Sequence, residues 1–249
     1  MKNIKLSEIS TRADKEFEKI KTKEKTQHIK FEIDELQNLL YAESKHSLLV
    51  VIQGMDASGK DGVVRNVFGA LNPQGVLVKS FKTPLADELA HDFLWRVHQN
   101  VPAKGMIQIF NRSHYEDILI TRVHNLIDDK KAKKRMEAIN NFEELLEKHN
   151  NTSILKFYLH ISPEEQQERL GERIKDPTKM WKYNKNDFVE ARLWDRYIKM
   201  YEDCFANCNA FPWMIVPSDQ NWYKEYLIAS KVLDTLKSLE MKYPGLKAE

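Results

Sequence analysis

Cysteine, glycine and proline are scarce in this chain, at two, eight and eight residues out of 249, and no long apolar run occurs in it. Each shortage narrows what the chain can be. A redox or metal pair built on Cys204 and Cys208 would need further Cys or His partners nearby, so ordinary reduced thiols are expected. Without a Pro/Gly-rich linker, a low-complexity tract or an internal repeat, residues 1–249 read as a single domain. No segment approaches the roughly 18 apolar residues of a membrane span, and "MKNIKLSEISTRADKEFEKIK" has no apolar signal core. A soluble, cytoplasmic protein with no membrane partner is expected. Net charge is lacking too: 39 basic against 37 acidic residues leave +2, so any hold on a polyanion must come from local clusters.

What is present is alternation. Short, continuously apolar runs at 47–54, 76–81, 105–113, 153–162 and 211–218 have the pattern of strands covered on both faces. Between them lie helical patterns at 60–71, 84–99, 114–149 with a break near Asp128, 163–175, 187–206 and 221–240. Strand and helix in turn predict an α/β fold, a parallel five-stranded sheet between two helical layers. Residues 15–43 carry a broken apolar stripe of Phe17, Ile20, Ile29, Ile33, Leu36 and Leu40, which predicts an N-terminal helical extension (1–45) packed outside the sheet. Residues 171–186, basic, aromatic and interrupted by Pro177, predict a mobile cover over an anionic site.

Three places carry chemistry. In "VVIQGMDASGKDGVVRNVFGAL" (50–71) an apolar strand runs into a glycine turn and a helix, the setting of a phosphate-binding loop. Gly54 and Gly59 let the backbone through Ala57 and Ser58 turn its amides inward, the helix start is positive, and Lys60 adds a point charge. The hydroxyl that normally follows the lysine is missing, and Asp61 stands there. Asp56 and Asp61 beside a phosphate repel it unless a cation bridges them, which makes them magnesium ligands; alternatively, Asp61 is a first-turn acid favouring the helix dipole. The second place is "IFNRSHYEDILITRVHN" (109–125), where Asn111, Arg112, His114, Tyr115, Glu116 and Asp117 crowd the end of a strand. Asn111 stands where an acid usually holds magnesium, so Asp61, Glu116 or Asp117 would supply the charge, and His114 reads as a positioning or structural residue. The third is a scatter of cations: Lys79, Lys82, Arg122, Arg169, Arg173, Lys175, Lys179 and Lys182, with Trp181 and Tyr183 interleaved. Arg169 and Arg173 stand one helical turn apart, and the stripe they begin would suit an extended inorganic polyanion, nucleotide phosphates or a nucleic acid.

Taken in order, "GMDASGKDG", "FNRSHYED", "RIKDPTKMWKYN", "WDRYIKMYEDC" and "PWMIVPSDQNWY" resemble the polyphosphate kinase 2 family, most closely its class III, over about residues 15–240. The resemblance implies a P-loop kinase core of three α/β/α layers with a helical lid, here 171–186. It also implies transfer of the terminal phosphoryl of inorganic polyphosphate to nucleoside mono- and diphosphates, AMP through ADP to ATP. It implies magnesium, with manganese as the alternative, held among Asp56, Asp61, Glu116 and Asp117. By the same token Lys60, Asp56 and Asp61 would manage the transferred phosphoryl, and Arg112 would offset its charge. Phosphate, polyphosphate or nucleotide would bind Gly54, Ala57, Ser58, Gly59, Asn111, Lys79, Lys82, Arg122, Arg173, Lys179 and Lys182. Classes I and II more often show Asp-Arg-Ser-Trp-Tyr-Asn where this chain has "NRSHYE", so Glu116 and Asp117 become the implied class III substitutes. A homo-oligomer, dimer or tetramer, is expected. An ATP-dependent nucleotide kinase would share the loop and lid, though Asp61 fits it poorly. A nucleic-acid-binding or regulatory module is disfavoured by the acids beside Lys60 and the near-neutral total charge, so no nucleic-acid partner is expected.

Overall fold

The computed structural model describes residues 4–246. Five parallel strands form one sheet in the order β2-β3-β1-β4-β5: β1 (Ser47–Gly54), β2 (Val76–Ser80), β3 (Ile107–Asn111), β4 (Thr152–His160) and β5 (Trp213–Pro217). The central position of β1 explains its composition, since all eight of its residues are buried. Period-two alternation sends Leu49 and Val51 into one apolar layer with Phe110 and Tyr158, and Leu48, Val50 and Ile52 into the other with Ile109 and Phe157. At the sheet edge, β2 leaves Leu77 and Val78 half exposed.

The helices are α1 (Lys19–Glu43), α2 (Lys60–Val63), α3 (Ala86–Leu89), α4 (Trp95–His98), α5 (Ile120–Val123), α6 (Asp129–Asn150), α7 (Pro163–Lys175), α8 (Lys185–Ala191), α9 (Trp194–Asn207) and α10 (Asn221–Ser238). One face of the sheet is covered by α6 and α9, through Met136, Ile139, Tyr201 and Phe205. On the other face lie α1, α10 and the π-helical turn Val64–Phe68 that continues α2, through Ile33, Leu40, Val232 and Val67. The N-terminal helix is thus a core element, since Ile33 and Leu40 are fully buried against the sheet layer. Caps fix where helices begin: Asp128 accepts from the Lys131 amide ahead of α6, and Ser162, followed by Pro163, accepts from the Glu165 amide ahead of α7.

Two long helical patterns break up. The stretch 84–99 forms the separate turns α3 and α4, because the Asp92 carboxylate accepts from the Leu94 amide and starts a new turn there. The stretch 187–206 divides into α8 and α9 across residues 192–193, and Glu190 and Ala191 of α8 line a cavity with Gly54 at the end of β1. Register brings those ends together: Ile52 pairs with Asn111, and Gly54 with Leu159. The crevice lies where β1 and β3 stop, beside the reversal of strand order, as in other open parallel sheets.

Candidate active site

The loop after β1 is built by residues that can turn and residues that can hold. Gly54 ends the strand at φ +154, and a Cβ there would stand 3.0 Å from the Leu159 carbonyl oxygen on the neighbouring strand. Ala57 and Gly59, at φ +63 and +96, turn the chain back into α2. Lys60 begins that helix as a buried residue, 8% exposed, and its Nζ donates to the Gly54 and Met55 carbonyls at 2.7 and 3.1 Å. Burial, reinforced by Arg112 and opposed by Asp56, Glu116 and Asp61, lowers its pKa to about 8.

Across the crevice, the chain leaves β3 through Arg112, a non-glycine residue at φ +59. Its guanidinium donates to the Asp56 carboxylate, joining the strand-end turn to the loop. Burial opposes the Arg112 charge, but Glu116 and Asp56 outweigh it and hold the pKa above its ordinary value. Glu116 is pushed up by burial, with Asp56 and Asp117 adding to the shift and Arg112 and Lys60 opposing it. Asp56, Arg112 and Glu116 line one small cavity with Gln166, Glu190, Tyr197 and Tyr201. Asp61, with its side chain 65% exposed, accepts from Asn111 at 2.8 Å and from Lys182 at 3.3 Å. These two contacts outweigh its partial burial and lower its pKa. A glycine-flanked amide turn, a buried ammonium, a guanidinium and two facing acids can receive a phosphoryl group and neutralise its charge.

Residues 16–244 match the family model of polyphosphate kinase 2. The chain belongs to the polyphosphate kinase 2 family. It is 49% identical over 214 residues to the AMP/ADP-polyphosphate phosphotransferase of Meiothermus ruber, covering 85% of this chain and 80% of that protein. To the ADP-polyphosphate phosphotransferase of Rhodopseudomonas palustris it is 42% identical over 226 residues, covering 85% and 78%. The crystal structure of polyphosphate kinase 2 from Arthrobacter aurescens TC1 superposes with a TM-score of 0.95 at 37% identity, over 99% of this chain and 89% of that one. The protein is accordingly a phosphotransferase with the polyphosphate kinase 2 fold.

Within this polyphosphate kinase 2 frame, not every expected residue reaches the crevice. Gly54, Ala57, Ser58, Gly59, Lys60, Asp56, Asp61, Asn111, Arg112, Glu116 and Lys182 are drawn together by the contacts above, directly or through the loop backbone. The Asp117 carboxylate lies against Arg96 and Arg135, at 3.7 and 3.9 Å, on another side of the same turn. Arg122 is held by Asp129 and Asp203 at 2.7 and 2.6 Å. On the lid, Arg173 pairs with Asp187, and Lys179 with Glu172 at 2.6 Å. Lys79 and Lys82 flank the end of β2 and form no ion pair among the described residues. His114 is fully buried among Phe110, Tyr115 and Phe142, 3.6 Å from Glu143, and takes no part in the cavity.

Among the described residues no group of three or more His, Cys, Asp or Glu side chains is gathered as a metal cage. The donor set still suits a hard divalent cation. Asp56 and Glu116 present carboxylate oxygens to one cavity, and a magnesium ion bound through substrate phosphates needs only one or two carboxylates. Gln166, whose Nε2 donates to the Asp56 carbonyl at 2.9 Å, and Tyr197, Tyr201 and Glu190 are wall residues that sequence reading does not single out. The two tyrosines have the helical spacing of any core stripe.

Proposed function

We propose that the protein moves the terminal phosphoryl group of inorganic polyphosphate to AMP and to ADP, or to other nucleoside mono- and diphosphates, reversibly and with magnesium. An acceptor phosphate oxygen attacks the terminal phosphorus, and the bond from that phosphorus to the rest of the chain breaks. The products are a nucleotide longer by one phosphate and a polyphosphate shorter by one. The observation that carries this reading is the Arg112–Asp56 ion pair beside Glu116 in one cavity at the ends of β1 and β3, with the buried ammonium of Lys60 held in the same loop as Asp56. Two polyanions can meet only where cations cancel their repulsion and hold them in line. Magnesium at Asp56 and Glu116, with the exposed Asp61 beside the loop, would neutralise phosphate charge. The names of the Meiothermus and Rhodopseudomonas relatives support the donor and the acceptors.

The acceptor phosphate is already ionised, so no strong base is required, in keeping with the burial of His114 away from the cavity. Lys79 and Lys82, which pair with no acid among the described residues and flank the end of β2, suit the donor chain. A cytoplasmic setting is supported by Cys204 and Cys208, which are both free thiols. The test is to incubate the protein with magnesium, ADP and long-chain polyphosphate, without ATP, and to repeat it with AMP. Nucleotide products in both are expected. Phosphorylation of AMP by ATP but by no polyphosphate would replace this reading with an ATP-dependent nucleotide kinase.

Glu116 carries the proposed use of both acceptors. As an acid it can hold a second cation or a bridging water for the shorter AMP. Glu116→Asn is expected to lower AMP phosphorylation more than ADP phosphorylation in parallel kcat/KM measurements, and an equal loss on both would remove it from acceptor choice.

Residues 171–186 act in this reading as a lid. Lys182 bridges from its 3-10 turn (Met180–Lys182) to Asp61 at the start of α2, and Trp181 donates to the Thr178 carbonyl, tightening the segment. Polyphosphate would exchange for Asp61 as the partner of Lys182. Because each neutralised phosphate releases counterions, Lys182→Ala is expected to reduce the salt dependence of polyphosphate affinity by about one unit of log–log slope. An unchanged slope in a salt titration would leave Lys182 as surface charge.

A further inference from the structure

Against the phosphate loop, and outside the lining of the cavity, a second lysine is buried. Lys224, on the first turn of α10, is 1% exposed, and its Nζ donates to the Ser58 carbonyl at 2.8 Å and to the Asn221 side chain at 2.9 Å. It forms no ion pair among the described residues. Arg169 of α7 reaches the same wall, donating to the Ala57 and Ser58 carbonyls at 3.0 and 3.3 Å and to the Ser218 and Asp219 carbonyls at 2.9 Å each. The Ser58 carbonyl is therefore gripped by two cations from two helices.

We propose that Lys224 is a positioning residue for phosphate binding: by holding the Ser58 carbonyl at the back of the loop it fixes the Gly59 amide toward the anion.

The peptide unit makes this obligatory. Its C=O and N–H point in opposite directions in one plane, so a carbonyl pinned outward sets the following N–H inward. The Gly59 N–H has no acceptor among the described residues, whereas the Ser58 N–H is already spent on the Met55 carbonyl at 3.2 Å. Gly59 also shows how close the lysine stands: a Cβ at that position would lie 2.3 Å from Lys224 Nζ. The φ of +96 favours glycine there, and a Cβ would displace the ammonium from its place beside the loop.

A role in stability alone does not account for a lysine here. The residues that follow on the buried face of α10, Ile228, Ala229 and Val232, are apolar, and a buried ammonium with no ion pair carries a desolvation cost that an apolar side chain of similar volume does not. The ammonium is instead held at a cost. Burial, with Arg169 and Lys60 adding and Glu225 and Glu165 opposing, lowers its pKa to about 7. An anion on the far side of the loop compensates that charge.

This inference rests on the proposed reading only in taking the loop as an anion site, whichever substrate fills it. The probe is inorganic tripolyphosphate, with its affinity measured by calorimetry and folding followed by thermal unfolding. Lys224→Met is expected to remain folded and to bind tripolyphosphate about tenfold or more weakly, the scale of a lost charged hydrogen bond. Lys224→Ala removes the atoms of a propylammonium ion, so added propylammonium is expected to restore affinity while 1-propanol, of the same shape but uncharged, does not. A folded Lys224→Met with wild-type affinity, or equal rescue of Lys224→Ala by amine and alcohol, would overturn the proposal and leave Lys224 as packing. Failure of the wild type to bind tripolyphosphate would overturn this inference and the anion-site reading together.

Discussion

Lys60→Ala is expected to lower kcat/KM by about 10²–10³ on every acceptor, the scale for removing one preorganised contact to a charge-developing group. The ammonium closes the loop by donating to the Gly54 and Met55 carbonyls, and an arriving phosphate would exchange for those acceptors. Its proton makes the effect depend on pH. The folded pKa of about 8 lies below the ordinary 10.5, so below about pH 8 the buried charge costs stability and favours anion binding. As pH rises through 8 toward 10.5 that cost fades, the contribution of Lys60 to stability improves, and anion affinity falls. Wild-type tripolyphosphate affinity is therefore expected to decline above pH 8 more steeply than that of Lys60→Ala. Parallel pH profiles, or a variant with near wild-type turnover, would remove this loop from the active site.

Arg112→Ala is expected to lose about 10³ or more in kcat, the lower end of what an arginine on a transferring phosphoryl supplies. Arg112 lies between Asp56 and Glu116, and it is the only group of the strand-end turn that ties to the loop by an ion pair among the described residues. Arg112→Lys is expected to recover little, because an ammonium cannot reproduce the planar fork that faces a carboxylate and a phosphoryl together. Single-turnover rates with saturating polyphosphate separate this loss from weakened binding. Recovery by lysine to within about tenfold of wild type would show that charge alone suffices and that the fork is dispensable.

The phosphate loop, the order of strands and helices and the crowded end of β3 were legible along the chain because each is a local pattern. Apolar runs without alternation belong to strands buried on both faces, and β1 is buried throughout. Glycine, lysine and acid at fixed spacing after such a strand carry their own geometry, since the backbone between Gly54 and Lys60 has few ways to turn. The sequence also determined that cations and acids would be interleaved, which set the class of ligand as a phosphate with charge to be cancelled.

Which of those charges face the cavity was decided only by the tertiary structure. Glu116 and Asp117 are neighbours in sequence, yet the 3-10 turn His114–Asp117 places Glu116 in the cavity and gives Asp117 to Arg96 and Arg135. Arg122 has the composition of a phosphate ligand, but the packing of α5 on α9 and the start of α6 supply it with Asp203 and Asp129. Tyr197, Tyr201, Gln166 and Lys224 reach the loop from helices more than a hundred positions away in the chain, at spacings shared with any buried face. Local spacing reports which face of an element is buried, because that is a property of one helix or strand. The identity of the group across the gap depends on how separate elements pack, and a charge is a ligand, a brace or a solvated surface according to that neighbour.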